Sequence, residues 1–281
     1  MNKVKAPRIL VDRMQLLAWP RGQRLPEIPE FRVRRDRFVR PQTSVPTYRR
    51  VRDLQSPKTK SEINAQYWRA RPWWPPVKLT IIAGPRRGLQ RGELEAVAKA
   101  FKEVRLLLVE LAFDFRLDSG IDREFVLQHG LFGRSLLVGG QFYNTLRYGS
   151  QTGPKLVRAY AKKETSSYRV EVELHGSWLR RFGIAAIQDL YKLPALLLPA
   201  HFRFVTVDWD RLAVHLSRKD LSAEQVLAEC RRRANSFPRL ACYLRDEVRL
   251  HNVHRFVVPL AINRAIREAL EAWARQWGSR S

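Results

Sequence analysis

Leu106–Leu117, with the sequence LLLVELAFDFRL, is the stretch that decides the fold. Side chains of a β-strand point alternately to its two faces, so residues two apart share a face. Glu110 and Asp114 therefore fall on one face of this strand, whereas Leu111 and Phe113 fall on the other. The pattern predicts a strand with an apolar face against a core and a polar face that carries carboxylates.

Three further stretches before Gly176 have the same character. Thr145–Ser150 (TLRYGS) and Lys155–Lys162 (KLVRAYAK) are joined by Gln151–Pro154 (QTGP), whose Gly and Pro predict a turn. Tyr168–His175 (YRVEVELH) follows across another polar turn. On the polar faces of the last two strands lie Arg158, Tyr160 and Lys162, then Arg169, Glu171, Glu173 and His175.

If the apolar faces share one core, a tyrosine, several carboxylates and several cations meet on one surface. Carboxylates suit a hard cation such as Mg²⁺ or Mn²⁺, and guanidinium and ammonium groups suit a phosphate. These are the parts needed to cut one DNA strand by attack of a tyrosine on phosphorus. The ordinary alternative is an antiparallel sheet whose polar face carries cross-strand ion pairs.

The same strands resemble a known family. Tyr148-Gly149-Ser150, Arg158–Lys162 (RAYAK) and Arg169-Val170-Glu171 occur in the order of the signature of the replication initiation factor family, and Val109–Phe115 resembles its acidic strand. That family comprises rolling-circle plasmid initiators and related relaxases of conjugative elements.

The resemblance implies a role for each matching residue. Tyr160 would be the nucleophile, and Arg158 and Lys162 would clamp the phosphate. The metal ligands would be Glu110, Asp114 and Glu171; the register adds Glu173, and His175 points the same way. Contacts to DNA are predicted for Arg147, Arg169, Arg231, Arg232 and Arg233. Three other tyrosines are rivals of Tyr160 that fit packing roles better: Tyr143, Tyr148 and Tyr168.

The charge of the chain favours nucleic acid as the partner. Its 281 residues include 52 Lys and Arg against 27 Asp and Glu, which gives a net charge of +25 and a pI near 11.0. Such a balance attracts polyanions and releases counterions from nucleic acid. A membrane surface is the competing partner, but no long apolar span supports it.

The N-terminus lacks a signal-peptide pattern, and Cys230 and Cys242 have no spacing typical of zinc sites or disulfide frameworks. We therefore expect a cytoplasmic protein.

The composition divides the chain into three parts. Residues 1–76 are rich in Arg and Pro and predict a basic N-terminal extension, with Trp73 and Trp74 either packing on the domain or stacking on unpaired bases. Residues 77–216 are expected to form the catalytic and DNA-binding core. Residues 217–281 are expected to form helices on that core, including an amphipathic helix over Pro259–Trp277. The fold class is α+β: a mostly antiparallel sheet with helices packed on one face.

The function predicted from these observations is that of a rolling-circle replication initiator, which nicks one strand at an origin-like site through a covalent phosphotyrosine. Its partners would be single-stranded or cruciform DNA, with a host helicase and a second copy of the chain as further candidates. Two alternatives stay open: a non-catalytic DNA-binding protein of a plasmid or phage, and an RNA-associated basic protein.

Overall fold

A nine-stranded antiparallel sheet organises the chain in the computed structural model. The structure describes residues 5–39, 47–85, 87–132, 145–150, 153–197, 202–217, 222–233, 243–244 and 253–277. Within them the strands run in the order β2-β3-β4-β5-β1-β6-β10-β9-β8. Their bounds are β1 Arg8–Trp19, β2 Arg32–Phe38, β3 Tyr48–Gln55, β4 Glu62–Arg69, β5 Val77–Ile82, β6 Glu103–Arg116, β8 Leu146–Tyr148, β9 Lys155–Lys162 and β10 Ser167–His175.

The register predicted for the acidic stretch is confirmed. β6 pairs with β10 so that Asp114 lies opposite Arg169, and β10 pairs with β9 so that Arg169 lies opposite Tyr160. The alternate residues Leu111 and Phe113 are completely buried in the main core. Polar and apolar side chains of these strands are thus separated onto two faces of one sheet.

β1 lies at the centre of this sheet, between β5 and β6. Its buried residues alternate as Ile9 and Val11, and then resume one position out of phase as Met14 and Leu16. The phase changes because a β-bulge interrupts the pairing with β6 between Val11 and Arg13. A bulge inserts one extra residue and re-aims the side chains around it. The extra residue here is Asp12.

Several helices contribute to the core on the apolar face of the large sheet. In the described part of the chain the helices are α1 Arg91–Ala100, α2 Arg123–His129, α3 Gly176–Arg181, α4 Leu193–Leu197, α5 Trp209–Ser217, α6 Ala223–Arg233 and α7 Ile262–Arg275. Leu94 of α1, Val126 of α2, Leu179 of α3 and Ile266 of α7 are buried in the same core as the strands. The structure therefore has the predicted α+β class, and the stripe of α7 is part of the core.

A second, three-stranded sheet has the order β12-β11-β7. Its strands are β7 Gly130–Leu131, β11 Arg203–Val207 and β12 Val257–Pro259. Leu131, Val205, Leu212 and Phe256 belong to a smaller core cluster beside it. Residues 217–281 thus contribute both to this cluster and, through α7, to the main core.

The N-terminal part differs from its description as an extension. Residues 8–69 supply β1–β4, which are four of the nine strands, and β1 makes the junction between the two halves of the sheet. A boundary at residue 76 would divide a single hydrogen-bonded sheet and a single core. The high Arg content hid this because many of the arginines occupy exposed positions, as in β2, where every residue is exposed.

The central position of β1 predicts a large effect of a core truncation there. Leu16→Ala should lower the free energy of unfolding by about 2–5 kcal/mol, because Leu16 is completely buried. Leu17→Ala, on the half-buried opposite face, is the matched control and should cost much less. Chemical denaturation measures both. If both variants lowered the free energy of unfolding by the same small amount, β1 would not be an integral strand of the sheet.

Candidate active site

The polar face of the sheet carries a cluster of buried and half-buried charged side chains drawn from four neighbouring strands. We define the acidic cluster as the five carboxylates and three guanidiniums that contact one another there. They are Asp12, Glu110, Asp114, Glu171, Glu173, Arg13, Arg158 and Arg169. Charged side chains are seldom buried unless they are paired, so this group depends on its internal contacts.

Arg169 is the central cation of the cluster. Its side chain is 1% exposed, and its Nε and Nη2 donate to the two oxygens of Asp114 at 2.6 and 2.8 Å. Its Nη1 donates to Asp12 at 3.0 Å. This two-pronged contact is the strongest geometry between a guanidinium and a carboxylate. A DNA phosphate cannot reach this guanidinium, which corrects the prediction that Arg169 contacts DNA.

Arg13 and Arg158 hold the other carboxylates together. Glu110 and Glu173 lie directly opposite each other on β6 and β10, where two negative charges repel. Arg13 donates to both of them. Arg158 donates to Glu110 at 2.5 Å and lies 3.0 Å from Glu171. The two arginines therefore offset the repulsion that the register creates.

The cluster nevertheless has an excess of negative charge. Five carboxylates face three guanidiniums, which leaves two formal negative charges when Glu110 is ionised and His175 is neutral; Arg147, opposite Arg158 on β8, lies outside this count. Burial and the charge of Glu171 raise the pKa of Glu110 to about 7, against the opposing effect of Arg158 and Arg13. A site with this excess is suited to a divalent cation, which would cancel it.

Three carboxylates have the geometry of a cation site. One oxygen each of Asp12, Glu110 and Glu171 lies within 4.8 Å of the other two. Oxygen donors of this kind fit Mg²⁺ or Mn²⁺. The predicted ligands Glu110 and Glu171 are thus brought together in the described part of the chain, and Asp12 joins them.

The other two predicted ligands have different partners. Both oxygens of Asp114 are bound by Arg169. Glu173 accepts from Arg13 and is bonded to His175 Nε2 at 2.7 Å. Neither carboxylate belongs to the group of mutually close oxygens formed by Asp12, Glu110 and Glu171 among the described residues, so their role as metal ligands stays a prediction. Asp12 was missed because it is the extra residue of a bulge and follows no alternation.

Tyr160 lies at the border of the cluster. Its hydroxyl donates a hydrogen bond to Glu171 Oε1, the residue that also belongs to the candidate cation site. Burial, followed by the charge of Glu171, raises the pKa of Tyr160 above its usual value. The tyrosine is therefore a neutral phenol in this arrangement, with a carboxylate in place to accept its proton.

The remaining predicted residues are distributed around this centre. Arg147 of β8 pairs opposite Arg158, and half-buried Lys162 ends β9 two positions after Tyr160. Arg232 is exposed and bonded to Glu229 in α6, far along the chain from β9. The side chains of Arg231 and Arg233 are outside what the structure describes, as is Tyr143. Tyr148 and Tyr168 are buried in the core, as expected for packing residues.

Comparison with known proteins leaves the family open. No protein-family model matches the chain, and no curated protein matches it significantly. The resemblance to replication initiation factors therefore stays a prediction. Among the described residues, no helix combines the length and apolar character needed to cross a bilayer.

The position of Arg169 predicts a structural effect. Arg169→Met should lower the free energy of unfolding by about 3–5 kcal/mol, because it leaves Asp114 charged and unpaired in a buried position. The double variant Arg169→Met, Asp114→Leu should recover much of that loss. Urea denaturation tests both; a stable Arg169→Met protein that binds DNA less tightly would support the phosphate-contact role instead.

The candidate cation site predicts metal binding. Asp12→Asn should weaken Mn²⁺ binding, measured by calorimetry, on the order of tenfold, whereas Asp210→Asn, at an exposed position of α5, should not. Affinity should also rise with pH through the region near 7, because Glu110 must lose its proton to bind a cation. Equal affinities of the two variants would rule out this site.

Proposed function

We propose that this protein nicks one strand of DNA through Tyr160, with a divalent cation bound by Asp12, Glu110 and Glu171. The observation that carries the proposal is the hydrogen bond from the Tyr160 hydroxyl to Glu171, a carboxylate of the candidate cation site. A nucleophile with a base in contact, beside a group of oxygen donors, is the arrangement that phosphoryl transfer by a hydroxyl requires.

The reaction follows from the positions of these residues. Tyr160 Oη attacks the scissile phosphorus while its proton passes to Glu171. The phosphorus–O3′ bond breaks, the 3′-oxygen takes up a proton from water, Glu171 returns its proton to water, and the 5′ side stays on the protein as a phosphotyrosine. One ester replaces another, so the reverse reaction can rejoin the strand.

The cation and the arginines have separate contributions. A bound Mg²⁺ or Mn²⁺ would supply Lewis-acid stabilisation of the charge that develops on the phosphate oxygens. Arg158 lies between Glu110 and Glu171 at the border of the cluster and is part-buried, so it can turn one N–H toward a phosphate. Arg147 on the adjacent strand adds positive charge beside it.

The raised pKa of Tyr160 agrees with this division of roles. A phenol that stays protonated at neutral pH is a poor nucleophile, so proton acceptance by Glu171 has to accompany the attack. The net charge of +25 supplies the general attraction to DNA. The proposal places the protein in the cytoplasm together with the DNA element that it serves.

A second candidate is a non-catalytic DNA-binding protein. It is favoured by the observation that each of the five carboxylates contacts at least one guanidinium. In that case the acidic cluster braces the sheet, and Tyr160 completes its hydrogen bonds. Binding that depends on salt is expected of both candidates, so only chemistry separates them.

The direct test is covalent capture of DNA. The purified protein, incubated with Mn²⁺ and supercoiled DNA that carries its own origin, should give a protein-linked nick on a denaturing gel. Tyr160→Phe should abolish the adduct while retaining DNA binding, because only the hydroxyl is lost.

Tyr168→Phe is the matched control for that experiment. Tyr168 is buried on the opposite, core face of the next strand, so its variant should nick normally. Tight binding without an adduct in the unaltered protein, with either Mg²⁺ or Mn²⁺, would establish the non-catalytic candidate.

A further inference from the structure

A group of exposed aromatic rings lies at the outer part of the N-terminal half of the sheet, away from the acidic cluster. Trp73 is 73% exposed, Phe38 63% and Trp68 54%, which places them among the most exposed large apolar side chains of the described residues. We define the aromatic surface as these three residues together with Arg50, Arg71 and Trp74. Large apolar side chains grouped in solvent usually mark a binding surface.

Each part of the aromatic surface combines rings with a guanidinium. The rings of Phe38 and Trp68 are 5.9 Å apart at a tilt of 49°, and Arg50 lies 4.8 Å from the centre of the Phe38 ring. Arg71 lies 5.5 Å from the ring of Trp73 and 5.3 Å from that of Trp74. These are cation–π distances, and they bring positive charge next to ring faces that water can reach.

The backbone holds these rings in place. Trp68 has a φ of 61°, a left-handed conformation that is uncommon for a bulky residue and carries strain. Arg69 donates to the carbonyl oxygen of Trp74 at 2.7 Å. The hydroxyl of Tyr48 donates to the carbonyl oxygen of Pro75 at 3.0 Å. The segment with the two tryptophans is therefore fixed to the ends of β3 and β4, and its exposed rings are preorganised.

We propose that the aromatic surface binds unpaired nucleotides of a single-stranded nucleic acid. Bases stack on exposed aromatic rings with little regard to sequence, and the adjacent arginines suit the phosphates between them. The charge near the rings is strongly positive, since Arg50, Arg52, Arg69 and Arg71 lie there with Asp36, the partner of Arg50 and Arg52. A lipid surface is the other common partner of exposed tryptophans. It is the less favoured partner here, because guanidiniums lie against the rings.

This site is separate from the proposed nicking site and does not depend on it. Four strands, β5, β1, β6 and β10, lie between β4 and β9 in the sheet. At the usual spacing of about 4.8 Å, that separation is roughly 24 Å. Strand capture at the aromatic surface would therefore hold a part of the nucleic acid several nucleotides away from Tyr160, whether or not Tyr160 reacts.

The test measures binding of short fluorescein-labelled oligothymidylate, oligouridylate and duplex DNA to the full chain by fluorescence anisotropy. Trp73→Ala should weaken binding of the single strands by about fivefold to a hundredfold and leave duplex binding nearly unchanged. Trp73→Phe should retain most of the affinity, whereas Trp73→Leu should lose it, since leucine keeps apolar bulk without a ring. The two single strands show whether DNA or RNA is preferred.

Tyr191→Ala is the matched control, because Tyr191 is another exposed aromatic residue, 47% exposed, with Lys192 5.7 Å from its ring. It should bind single strands like the unaltered protein. Thermal unfolding should be the same for all variants, because Trp73 is mostly in solvent.

Binding to phosphatidylserine vesicles is measured as a fourth probe. Three results for Trp73→Ala would overturn the proposal: unchanged single-strand binding, an equal loss of duplex binding, or a loss of binding to the vesicles alone. All binding is measured without a divalent cation and with oligonucleotides that carry no origin, so a failure of nicking and a failure of this surface are distinguishable.

Discussion

The paired contact between Arg169 and Asp114 is the constraint on which the polar face of the sheet depends. The guanidinium is almost completely buried, and both oxygens of Asp114 and one of Asp12 bind it. The contact joins β10, β6 and β1, which are neighbours in the sheet but distant in sequence. A buried charge left unpaired is costly, so the three strands are held in the single register that satisfies Arg169.

That register determines what the rest of the face can do. It places Glu110 opposite Glu173 and Glu171 opposite Arg158, so carboxylates exceed guanidiniums in a region where water screens charge poorly. A protein that needed only a rigid sheet would be served better by equal numbers of the two, or by apolar residues. The excess, together with the hydroxyl of Tyr160 on Glu171, is the reason to favour a site that takes a cation over a purely structural network.

Much of the sheet could be predicted from the sequence because β6, β9 and β10 alternate regularly. The shared polar face of Glu110, Arg158 and Glu171 follows from that alternation and from antiparallel pairing. The place of β1 could not be predicted, because the bulge at Asp12 shifts its apolar period by one residue. The same shift concealed Asp12 as a candidate ligand.

The partners of individual carboxylates were also beyond the sequence. Alternation shows that Asp114, Glu171 and Glu173 share a face, but it does not show which of these carboxylates forms an ion pair with which arginine. Arg13 binds both Glu110 and Glu173, although it lies 97 residues before Glu110 and 160 residues before Glu173 in the chain. Such pairings depend on tertiary geometry, and they decide that Asp114 is a partner of Arg169 whereas Glu110 and Glu171 face Asp12.

The measurement that tests this account most directly is anomalous X-ray diffraction at the manganese edge from crystals of the protein grown with Mn²⁺. The account predicts one strong anomalous peak within coordination distance of Asp12, Glu110 and Glu171, with Tyr160 Oη nearby. A well-ordered acidic cluster with no peak there, and with Arg13 and Arg158 still bound to the carboxylates, would contradict it. The polar face would then be a brace for the sheet.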